Sequence, residues 1–360
     1  MSNSNSKDNV DNNSDTDSQV NSISNDIKEL DAKFARFDAL VKSTFEQMAI
    51  SMKRAFVEPP PRKRNPTIKT LDDIQKLLQK SKNIVVISGA GISTNLGIPD
   101  FRSKGGLYDQ CKVRFPDLED PKDVFSLEYF EKNPVVFFEL AAEMWPGKYS
   151  PGKTHKFIAR LEKDYKKLLR NYTQNIDTLE RIAGIENLVE CHGSYDKATC
   201  RKCEKVFDKS HIKEQVLSKK LPKCVEKTET ESSDICDGII KPNVVCFGEA
   251  LPKCFTESLD KDKLVVDCVI VIGTSMQVAP VSKLPAWLSE EYQKDHENSL
   301  PMILVNKEPV EKGVFDAELI GDCDLIVEQL ENMLRKKPVK NMKNKEKIVE
   351  SEHFRYFFKK

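Results

Sequence analysis

The sequence predicts an α/β fold in which helices cover both faces of a doubly wound parallel sheet. Short runs that are apolar on both faces are typical of buried parallel strands, and five such runs occur, at 84–88, 168–173, 244–247, 269–272 and 302–305. Helical spacings of apolar residues lie between them, at 71–80, 133–144, 154–163 and 324–334. Strands that alternate with helices indicate this architecture.

Composition narrows the classes of function. The 360 residues hold 57 Lys and Arg against 57 Asp and Glu, and this balance disfavours a uniformly basic nucleic-acid binder. No apolar run approaches the roughly 18 residues that a membrane helix needs, and we expect no membrane partner. The amino-terminal residues lack an apolar stretch, so no secretory signal is expected. Ten cysteines in such a chain predict reduced thiols or a metal site.

The ends of the chain differ from its centre in composition. Residues 1–23 are acidic and rich in Asn and Ser, which predicts a disordered tail. Residues 24–57 have the spacing of an amphipathic helix that packs on its own domain or binds a partner. Prolines in 58–66 predict an extended linker, whose basic residues are either a nuclear address or a solvated stretch. Residues 67–334 read as globular, and 335–360 as a basic tail that is loose or partly helical.

The first strand leads into a glycine-rich turn, Gly89-Ala90-Gly91-Ile92-Ser93. A buried strand, a Gly-x-Gly turn and a helix start together predict a pyrophosphate cradle, although a tight turn without a ligand has the same pattern. The usual third glycine is replaced by Thr94, and no acid follows at the ribose-binding offset, which argues against an ordinary dehydrogenase. Asp100, Phe101 and Arg102 follow, in a segment that reads as a loop closing over a cofactor or as an ordinary surface loop.

Polar side chains end the next two strands. The run 168–173 is followed by Gln174, Asn175 and Asp177, and the run 188–191 by His192. Ligands bind at the carboxyl ends of strands in open α/β sheets, so these side chains are expected to meet at one site. A histidine at such a position, with an ordinary pKa of about 6.5, suits proton transfer at neutral pH.

Four cysteines indicate a zinc site. Cys200 and Cys203 form a C-x2-C pair, and Cys224 and Cys236 follow, separated by an irregular spacer of eleven residues. Four thiolates around tetrahedral zinc make a closed site, whose role is to fold a small module, about 194–243, rather than to do chemistry. Free thiols, or His211 or Cys246 as substitute ligands, are the alternatives.

The run that follows this module has two readings. Val245 and Phe247 would share one face of a strand and could line an apolar tunnel for an acyl-lysine chain, next to a backbone that pairs with an extended peptide. An ordinary core strand has the same pattern. Gly273 and Asn306, each at a strand end, and Cys323, at the start of the last helix, are individually weak candidates for adenosine contacts.

These motifs, in this order, resemble the sirtuin family of NAD-dependent protein deacylases. The resemblance rests on GAGIST and GIPDFRS within 89–103, YTQNIDTLE at 172–180, CHG at 191–193, the four cysteines, KPNVVCFGE at 241–249, GTS at 273–275 and NKE at 306–308. It covers about 265 residues, and the phrasing of several segments is most similar to the class I nuclear subgroup, which is linked to silencing and transcription.

The resemblance implies a Rossmann-like domain and a smaller zinc-binding domain, with roles for matching residues. His192 and Asn175 would be catalytic. The residues that would contact NAD are Gly89, Ala90, Gly91, Ser93, Thr94, Asp100, Phe101, Arg102, Tyr108, Gln174, Asn175, Ile176, Asp177, Gly273, Thr274, Ser275, Asn306, Lys307, Glu308 and Cys323. Those that would bind the acylated peptide are Val245, Phe247, Gly248 and Glu249, and Cys200, Cys203, Cys224 and Cys236 would bind structural zinc.

The resemblance also implies a reaction. A sirtuin consumes NAD as a co-substrate, transfers the acetyl group of a protein lysine to ADP-ribose and releases nicotinamide. Acetylated histone tails are the expected substrates, and chromatin proteins could bind through 24–57 or the basic tail. A nuclear location is expected, with the cytoplasm as the alternative. A silencing scaffold that binds NAD without turnover is the alternative. This chain departs from the family in the long spacer before Cys236 and in Cys246, where an aromatic residue is common.

Overall fold

The computed structural model describes residues 62–227, 235–310, 314–336 and 355–358. The expectations for 1–23 and 24–57 lie outside these ranges, as does most of the spacer before Cys236. Within the described ranges, no helix combines the length and the apolar character needed to cross a membrane.

A seven-stranded sheet forms the larger domain, and all of its strand pairs are parallel. The spatial order is β10-β9-β8-β7-β1-β2-β3, so the chain reverses direction across the sheet at β1. Its strands are β1 (Ile84–Ser88), β2 (Leu168–Thr173), β3 (Leu188–Glu190), β7 (Cys268–Ile272), β8 (Met302–Asn306), β9 (Ala317–Gly321) and β10 (Arg355–Phe358). This architecture is the doubly wound α/β fold that the sequence predicts.

Helices cover the two faces of this sheet, and every residue of β1 is buried between them. In the helix Leu71–Lys80, Thr70 accepts a hydrogen bond from the backbone of Asp73 at the amino end, and Ile74 and Leu78 are buried. The α-helices are α1 (Leu71–Lys80), α2 (Leu107–Arg114), α3 (Leu127–Lys132), α4 (Pro134–Glu143), α5 (Lys153–Lys163), α6 (Leu179–Ile182), α7 (Lys209–Leu217), α8 (Lys253–Asp262), α9 (Leu284–Tyr292) and α10 (Cys323–Leu334).

A smaller domain is built around an antiparallel sheet of β4 (Gly193–Cys200), β5 (Val206–Asp208) and β6 (Ile240–Val244), in the order β5-β4-β6. Its apolar core also includes side chains of α2, α3 and α4, among them Phe130 and Phe137. The small domain therefore draws on two separate stretches of the chain. The cysteine spacing predicts only the second stretch as part of this domain.

The prediction of a parallel strand at 244–247 is wrong. The strand is β6, Ile240–Val244, and it pairs antiparallel with β4. Beyond Val244 the chain leaves the sheet, although Phe247 makes an isolated bridge to Ser126. Apolar composition could not distinguish the two arrangements, because the apolar run 244–247 continues past the end of the strand and records neither its direction nor its partner.

Two expectations for the first and last described segments are also wrong. Arg62 is not in a solvated linker: its guanidinium donates to Asp316 Oδ2 at 2.5 Å, and the side chain of Arg62 is only 6% exposed. The tail is not uniformly loose, because β10 pairs parallel with β9. Tyr356 and Phe358 pack against the core on one face of the sheet and Phe357 against the other. Side chains that alternate between the two faces of a sheet are typical of a strand, and here the pattern lies within a basic tail.

Candidate functional site

The carboxyl ends of β1, β2 and β7 lie side by side, because β1 is between the other two in the sheet. Backbone hydrogen bonds join the segments that leave these strands. Gln174 N donates to Ser88 O at 2.9 Å, and Gly89 N donates to Ile272 O at 3.1 Å. The point where strand order reverses in an open α/β sheet is where ligands bind, so the predicted site residues meet where the fold predicts a site.

The glycine-rich turn after β1 packs directly on the turn after β7. Gly91 N donates to Gly273 O at 2.8 Å, and a Cβ added at Gly91 would lie 2.8 Å from Gly273 Cα. Gly273 itself has a φ of +64°. The two glycines thus permit close approach of two turns. The expected α-helix start is absent here: two single-turn 3-10 helices, Ala90–Ile92 and Thr94–Leu96, follow β1. Thr94 is exposed.

The loop with Asp100 is tied together by its own carboxylate. Asp100 Oδ1 accepts hydrogen bonds from the backbone N–H groups of Arg102, at 2.9 Å, and Ser103, at 2.7 Å. Burial alone would raise the pKa of Asp100, but the bonds from Ser103 and Arg102 outweigh it and lower that pKa, with a further contribution from the nearby Lys307 ammonium. The carboxylate is therefore ionised and holds the loop in a defined shape.

Aromatic side chains join this loop to the small domain. The ring of Phe101 lies 5.8 Å from that of Tyr108 and 5.6 Å from that of Phe125. The guanidinium of Arg102 lies 5.7 Å from the centre of the Tyr108 ring. Phe101 and Tyr108 thus form an apolar surface next to the exposed guanidinium of Arg102.

His192 presents a free nitrogen to the site. Its Nδ1 lies 2.9 Å from the backbone oxygen of Gln174, which can only accept a hydrogen bond. In the neutral ring Nδ1 therefore carries the proton, and Nε2 keeps a lone pair. Nε2 is buried and has no hydrogen-bond partner among the described residues. Burial lowers the pKa of His192 below its usual 6.5 despite the bond to Gln174, and the Arg102 guanidinium lowers it further. The neutral imidazole can therefore act as a proton acceptor through Nε2.

The amides and carboxylate after β2 are held by neighbouring elements. Gln174 Nε2 donates to Thr274 Oγ1 at 2.9 Å, which connects the loop after β2 to the turn after β7. Asp177 Oδ2 accepts from Ser93 Oγ at 2.7 Å, which connects it to the turn after β1. Asn175 is buried, whereas Ile176 packs against the core of the small domain. The structure therefore brings together the predicted residues of this cluster.

A histidine that the sequence analysis did not single out orients this cluster. His155 is fully buried in α5, and its Nδ1 accepts from Gly152 N at 3.2 Å. Its Nε2 must then carry the proton, and it lies 3.5 Å from Ser93 Oγ, which in turn donates to Asp177. Nothing in the local sequence of α5 marks His155 as more than a core residue.

The same arrangement bears on metal binding. Ligand atoms of His155, Asp177 and Glu180 lie within 4.8 Å of one another, which is close enough to share a metal ion. A metal ligand needs an unprotonated nitrogen, whereas the bond from Gly152 places the proton of His155 on Nε2. His155 and Asp177 are joined through Ser93, whereas Glu180 accepts from Ser88, Thr173 and Asn175, so each ligand atom is already used in hydrogen bonding.

The four cysteines form a set that fits zinc. Cys200 Sγ lies 3.6 Å from Cys236 Sγ, Cys203 Sγ lies 3.7 Å from Cys224 Sγ, and all four sulfurs lie within 4.8 Å of one another. Tetrahedral zinc, with Zn–S bonds of about 2.3 Å, places its sulfurs about 3.8 Å apart. These positions match a closed site, whose chemistry is structural.

The long spacer does not displace the fourth cysteine. Cys236 N donates to Glu226 O at 2.8 Å, and Lys227 and Ile235 make an antiparallel bridge, so the two sides of the spacer run together. The described ends of the spacer thus place Cys236 beside the other three cysteines. Neither His211, which stacks on Phe207 at 4.5 Å, nor Cys246 belongs to the set.

The predicted peptide-binding segment is held from beneath by a buried lysine. Val245 is half-buried, Phe247 is 43% exposed and Gly248 is exposed. Glu249 Oε2 accepts from Cys246 N at 2.7 Å and from Lys241 Nζ at 2.8 Å, so its side chain is used inside the segment. Val245 and Phe247 are therefore the accessible side chains of this segment, on an internally braced turn.

The residues predicted at the adenosine end lie around the ends of β7 and β8. Ser275, Lys307 and Glu308 are exposed, and Asn306 Nδ2 donates to Glu308 O at 2.8 Å. Cys323 begins α10 and is buried, with its Sγ 4.0 Å from Val305 O. These residues form the same edge of the sheet as the glycine-rich turn, on the side opposite β2.

Comparison with known proteins agrees with this arrangement. The model of the Sir2 family matches residues 89–280, which include the glycine-rich turn, His192 and all four cysteines. The chain belongs to the Sir2 family. Its similarity to solved Sir2 proteins extends to the fold: a structure described as "Structural Basis for the Mechanism and Regulation of Sir2 Enzymes" superposes with a TM-score of 0.62 at 31% identity, covering 74% of this chain and 98% of that one.

Sir2-family relatives from distant organisms are similar over the described domains. NAD-dependent protein deacetylase sirtuin-1 of Rattus norvegicus is 45% identical over 273 residues, which cover 76% of this chain and 47% of that protein. NAD-dependent deacetylase sir2D of Dictyostelium discoideum is 42% identical over 271 residues, covering 74% and 47%. NAD-dependent histone deacetylase SIR2 of Eremothecium gossypii is 39% identical over 284 residues, covering 71% and 49%. The chain thus spans about half the length of these relatives.

Proposed function

We propose that this protein is an NAD-dependent protein-lysine deacetylase that transfers the acetyl group to ADP-ribose and releases nicotinamide. The observation that carries the proposal is the buried, unpartnered Nε2 of His192, whose proton is held on Nδ1 by Gln174. It lies at the strand ends where a dinucleotide binds in this architecture. Sir2-family membership and the names of the relatives support this choice of reaction.

The first chemical step breaks the glycosidic bond of NAD. The acetyl oxygen of the lysine attacks C1′ of the nicotinamide ribose as nicotinamide leaves, and positive charge develops near C1′. Asp177, held by Ser93, and the buried amide of Asn175 are the groups that would stabilise this charge. The Asp100 loop, with Phe101 and Arg102, would cover the nicotinamide end.

The second step needs a base. His192 Nε2 takes the proton from a ribose hydroxyl, whose oxygen then attacks the carbon of the imidate, and addition of water releases the free lysine and O-acetyl-ADP-ribose. Because the pKa of His192 is lowered by burial, the ring is neutral and able to accept this proton at neutral pH. Val245 and Phe247 would line the tunnel for the acyl-lysine chain, beside a peptide held at Gly248 and Glu249.

Substrates and location form the finer part of the proposal. We propose acetylated histone tails and other nuclear proteins as substrates, since relatives are named histone deacetylases. Chromatin proteins would bind through 24–57 or the basic tail. The basic residues at 62–64 support nuclear import weakly, because Arg62 is buried against Asp316.

Mass spectrometry of an acetylated histone-tail peptide, incubated with the protein with and without NAD, tests the proposal. We expect loss of the acetyl group only with NAD, together with O-acetyl-ADP-ribose. A His192→Ala variant that unfolds at the wild-type temperature should have lost this activity. An unchanged peptide with the wild-type protein, despite measurable NAD binding, would instead support the alternative of a noncatalytic silencing scaffold.

A further inference from the structure

Glu180 is a buried carboxyl group close to the reaction site. It lies in α6, three residues after Asp177, and its residue is 1% exposed. Among the residues that the structure describes, no Lys, Arg or His lies within ion-pair distance of Glu180. Burying a carboxylate without a cation costs free energy unless hydrogen bonds compensate for it. The groups that donate hydrogen bonds to Glu180 therefore show what it holds in place.

One oxygen of Glu180 gathers donors from two strand ends and from the loop after β2. Glu180 Oε1 accepts from Thr173 Oγ1 at 2.5 Å, from Asn175 Nδ2 at 3.1 Å and from Ser88 Oγ at 3.3 Å. Thr173 Oγ1 also accepts from Asn175 N at 3.1 Å. Glu180 and Thr173 thus bind both the backbone and the side chain of Asn175 in one closed ring of hydrogen bonds.

This ring decides which end of the Asn175 amide is free. An amide carries its donor and its acceptor on different sides of one carbon atom, and Glu180 can hold only the donor while it is ionised. With Nδ2 held at Glu180, Oδ1 is the end left for a substrate hydroxyl or for positive charge at C1′. An unheld amide could rotate and present Nδ2 instead, and a donor there would repel that charge.

We propose that Glu180 is a positioning residue that holds the Asn175 amide with its oxygen toward the reacting atoms. This inference rests on the proposed deacetylase function and adds a residue to which the sequence analysis gave no role. The ring connects the ends of β1 and β2 to the reacting amide, so the rigidity of the sheet is transmitted to one catalytic contact.

The charge of Glu180 gives this role a distinctive pH dependence. Burial, with a smaller contribution from the nearby Asp177 carboxylate, raises the pKa of Glu180 to about 7. His155, whose pKa is lowered by burial, and Cys191, whose pKa is raised by burial, are the other titratable groups around it. Protonation of Glu180 as the pH falls through 7 would weaken the grip on Asn175, before His192 is protonated at a lower pH.

Three variants of the full chain test the proposal: Glu180→Ala, Glu180→Gln and, as a control, Glu186→Ala. Glu186 is a nearby glutamate whose side chain is 84% exposed. We expect kcat/KM for an acetylated peptide to fall by roughly 10- to 100-fold in Glu180→Ala, because small misplacements of a reacting group cost about this much. The KM for NAD should change by less than about threefold, and Glu186→Ala should match the wild type.

Glu180→Gln separates positioning from a purely structural role, and it remains informative if Glu180→Ala fails to fold. The amide oxygen of Gln at position 180 can still accept hydrogen bonds from Asn175 and Thr173. We therefore expect kcat/KM at pH 8 to stay within about threefold of the wild-type value. Without a titrating carboxyl at position 180, the acidic limb of kcat/KM should move to the lower pH at which His192 titrates. A structural contact alone would not move this limb.

The outcomes are distinct. An active wild type with an unaffected Glu180→Ala variant, or with the same acidic limb in Glu180→Gln as in the wild type, would overturn the positioning role. A wild-type protein that releases no nicotinamide from NAD and acetylated peptide would contradict the proposed function itself. A defect in Glu180→Ala that is reversed in Glu180→Gln at pH 8, with a shifted limb, is the result that we expect.

Discussion

Lys241 offers a direct test of how the small domain shapes the proposed peptide-binding segment. Its side chain is 5% exposed, and Nζ donates to Val244 O at 2.6 Å and to Glu249 Oε2 at 2.8 Å. Glu249 in turn lies 3.6 Å from Arg201, which stands between two of the predicted zinc ligands in the sequence. Lys241→Met keeps the length of the side chain and removes the charge, these two hydrogen bonds and a longer one to Pro242 O at 3.5 Å.

The structure sets the expected size of this effect. Removing one partner of a buried ion pair costs about 3–5 kcal/mol, since the other charge is left unpaired. Glu249 is 19% exposed and keeps the hydrogen bond from Cys246 N at 2.7 Å, so the loss lies below this range. We expect Lys241→Met to lower the free energy of unfolding by about 2–3 kcal/mol. The KM for acetylated peptide should rise about tenfold, equivalent to about 1.4 kcal/mol.

Urea denaturation and steady-state kinetics with an acetylated peptide measure these two quantities. Lys197→Met is the matched control, because Lys197 is in the same small sheet but pairs with Asp208 at 3.3 Å with its side chain 58% exposed. Its free energy of unfolding should change by less than about 0.5 kcal/mol. If Lys241→Met matches Lys197→Met in both measurements, Lys241 does not brace the segment. If the KM for NAD rises as much as that for peptide, the effect is not local.

Three further predictions concern the metal and the chain ends. Cys236→Ser should lower the zinc content, measured by metal analysis, and the thermal unfolding temperature. Cys246→Ser should keep one zinc ion per chain, and loss of metal in this variant would contradict the assignment of Cys236 as the fourth ligand. Arg62→Ala should lower the free energy of unfolding, measured by urea denaturation, by about 2–4 kcal/mol, because the Arg62 side chain is buried against Asp316. The exposed Lys63 is the control, and Lys63→Ala should cost less than about 0.5 kcal/mol; equal losses would refute this role of Arg62. Removal of 355–360 should cost about 2–4 kcal/mol through the lost packing of Tyr356, Phe357 and Phe358, and an unchanged unfolding midpoint would show that β10 contributes nothing.

Much of the parallel sheet could be predicted from the sequence, because each buried strand is a compact apolar run. The bounds of β1 and β2 are those expected, Ile84–Ser88 and Leu168–Thr173. Strand ends in an α/β sheet share one edge, so the meeting of Gln174, Asn175 and His192 also follows from the predicted topology. The predicted zinc ligands lie together, since four cysteines at these spacings have few other uses.

The rest depends on contacts between distant segments, which no local pattern records. His155 looks like a core residue of α5 until the fold places it beside Ser93. Arg62 looks like part of a solvated basic cluster, yet it pairs with an acid 254 positions later. The tail strand β10 was not predicted, because its three aromatic residues lie within a basic stretch. They form a strand here because the edge of β9 is free to pair with them. Contacts between segments that are far apart in the sequence thus decide the structure of these residues, whatever their local composition predicts.

Under the proposed function, NAD is consumed rather than reduced, in a cleft where His192 accepts a proton. The most direct test counts nicotinamide released and lysines deacetylated in one reaction of the wild-type protein with NAD and an acetylated peptide. We predict equal amounts of both products, with no reduced dinucleotide. Reduced dinucleotide in place of free nicotinamide, with the acetyl groups intact, would contradict the account.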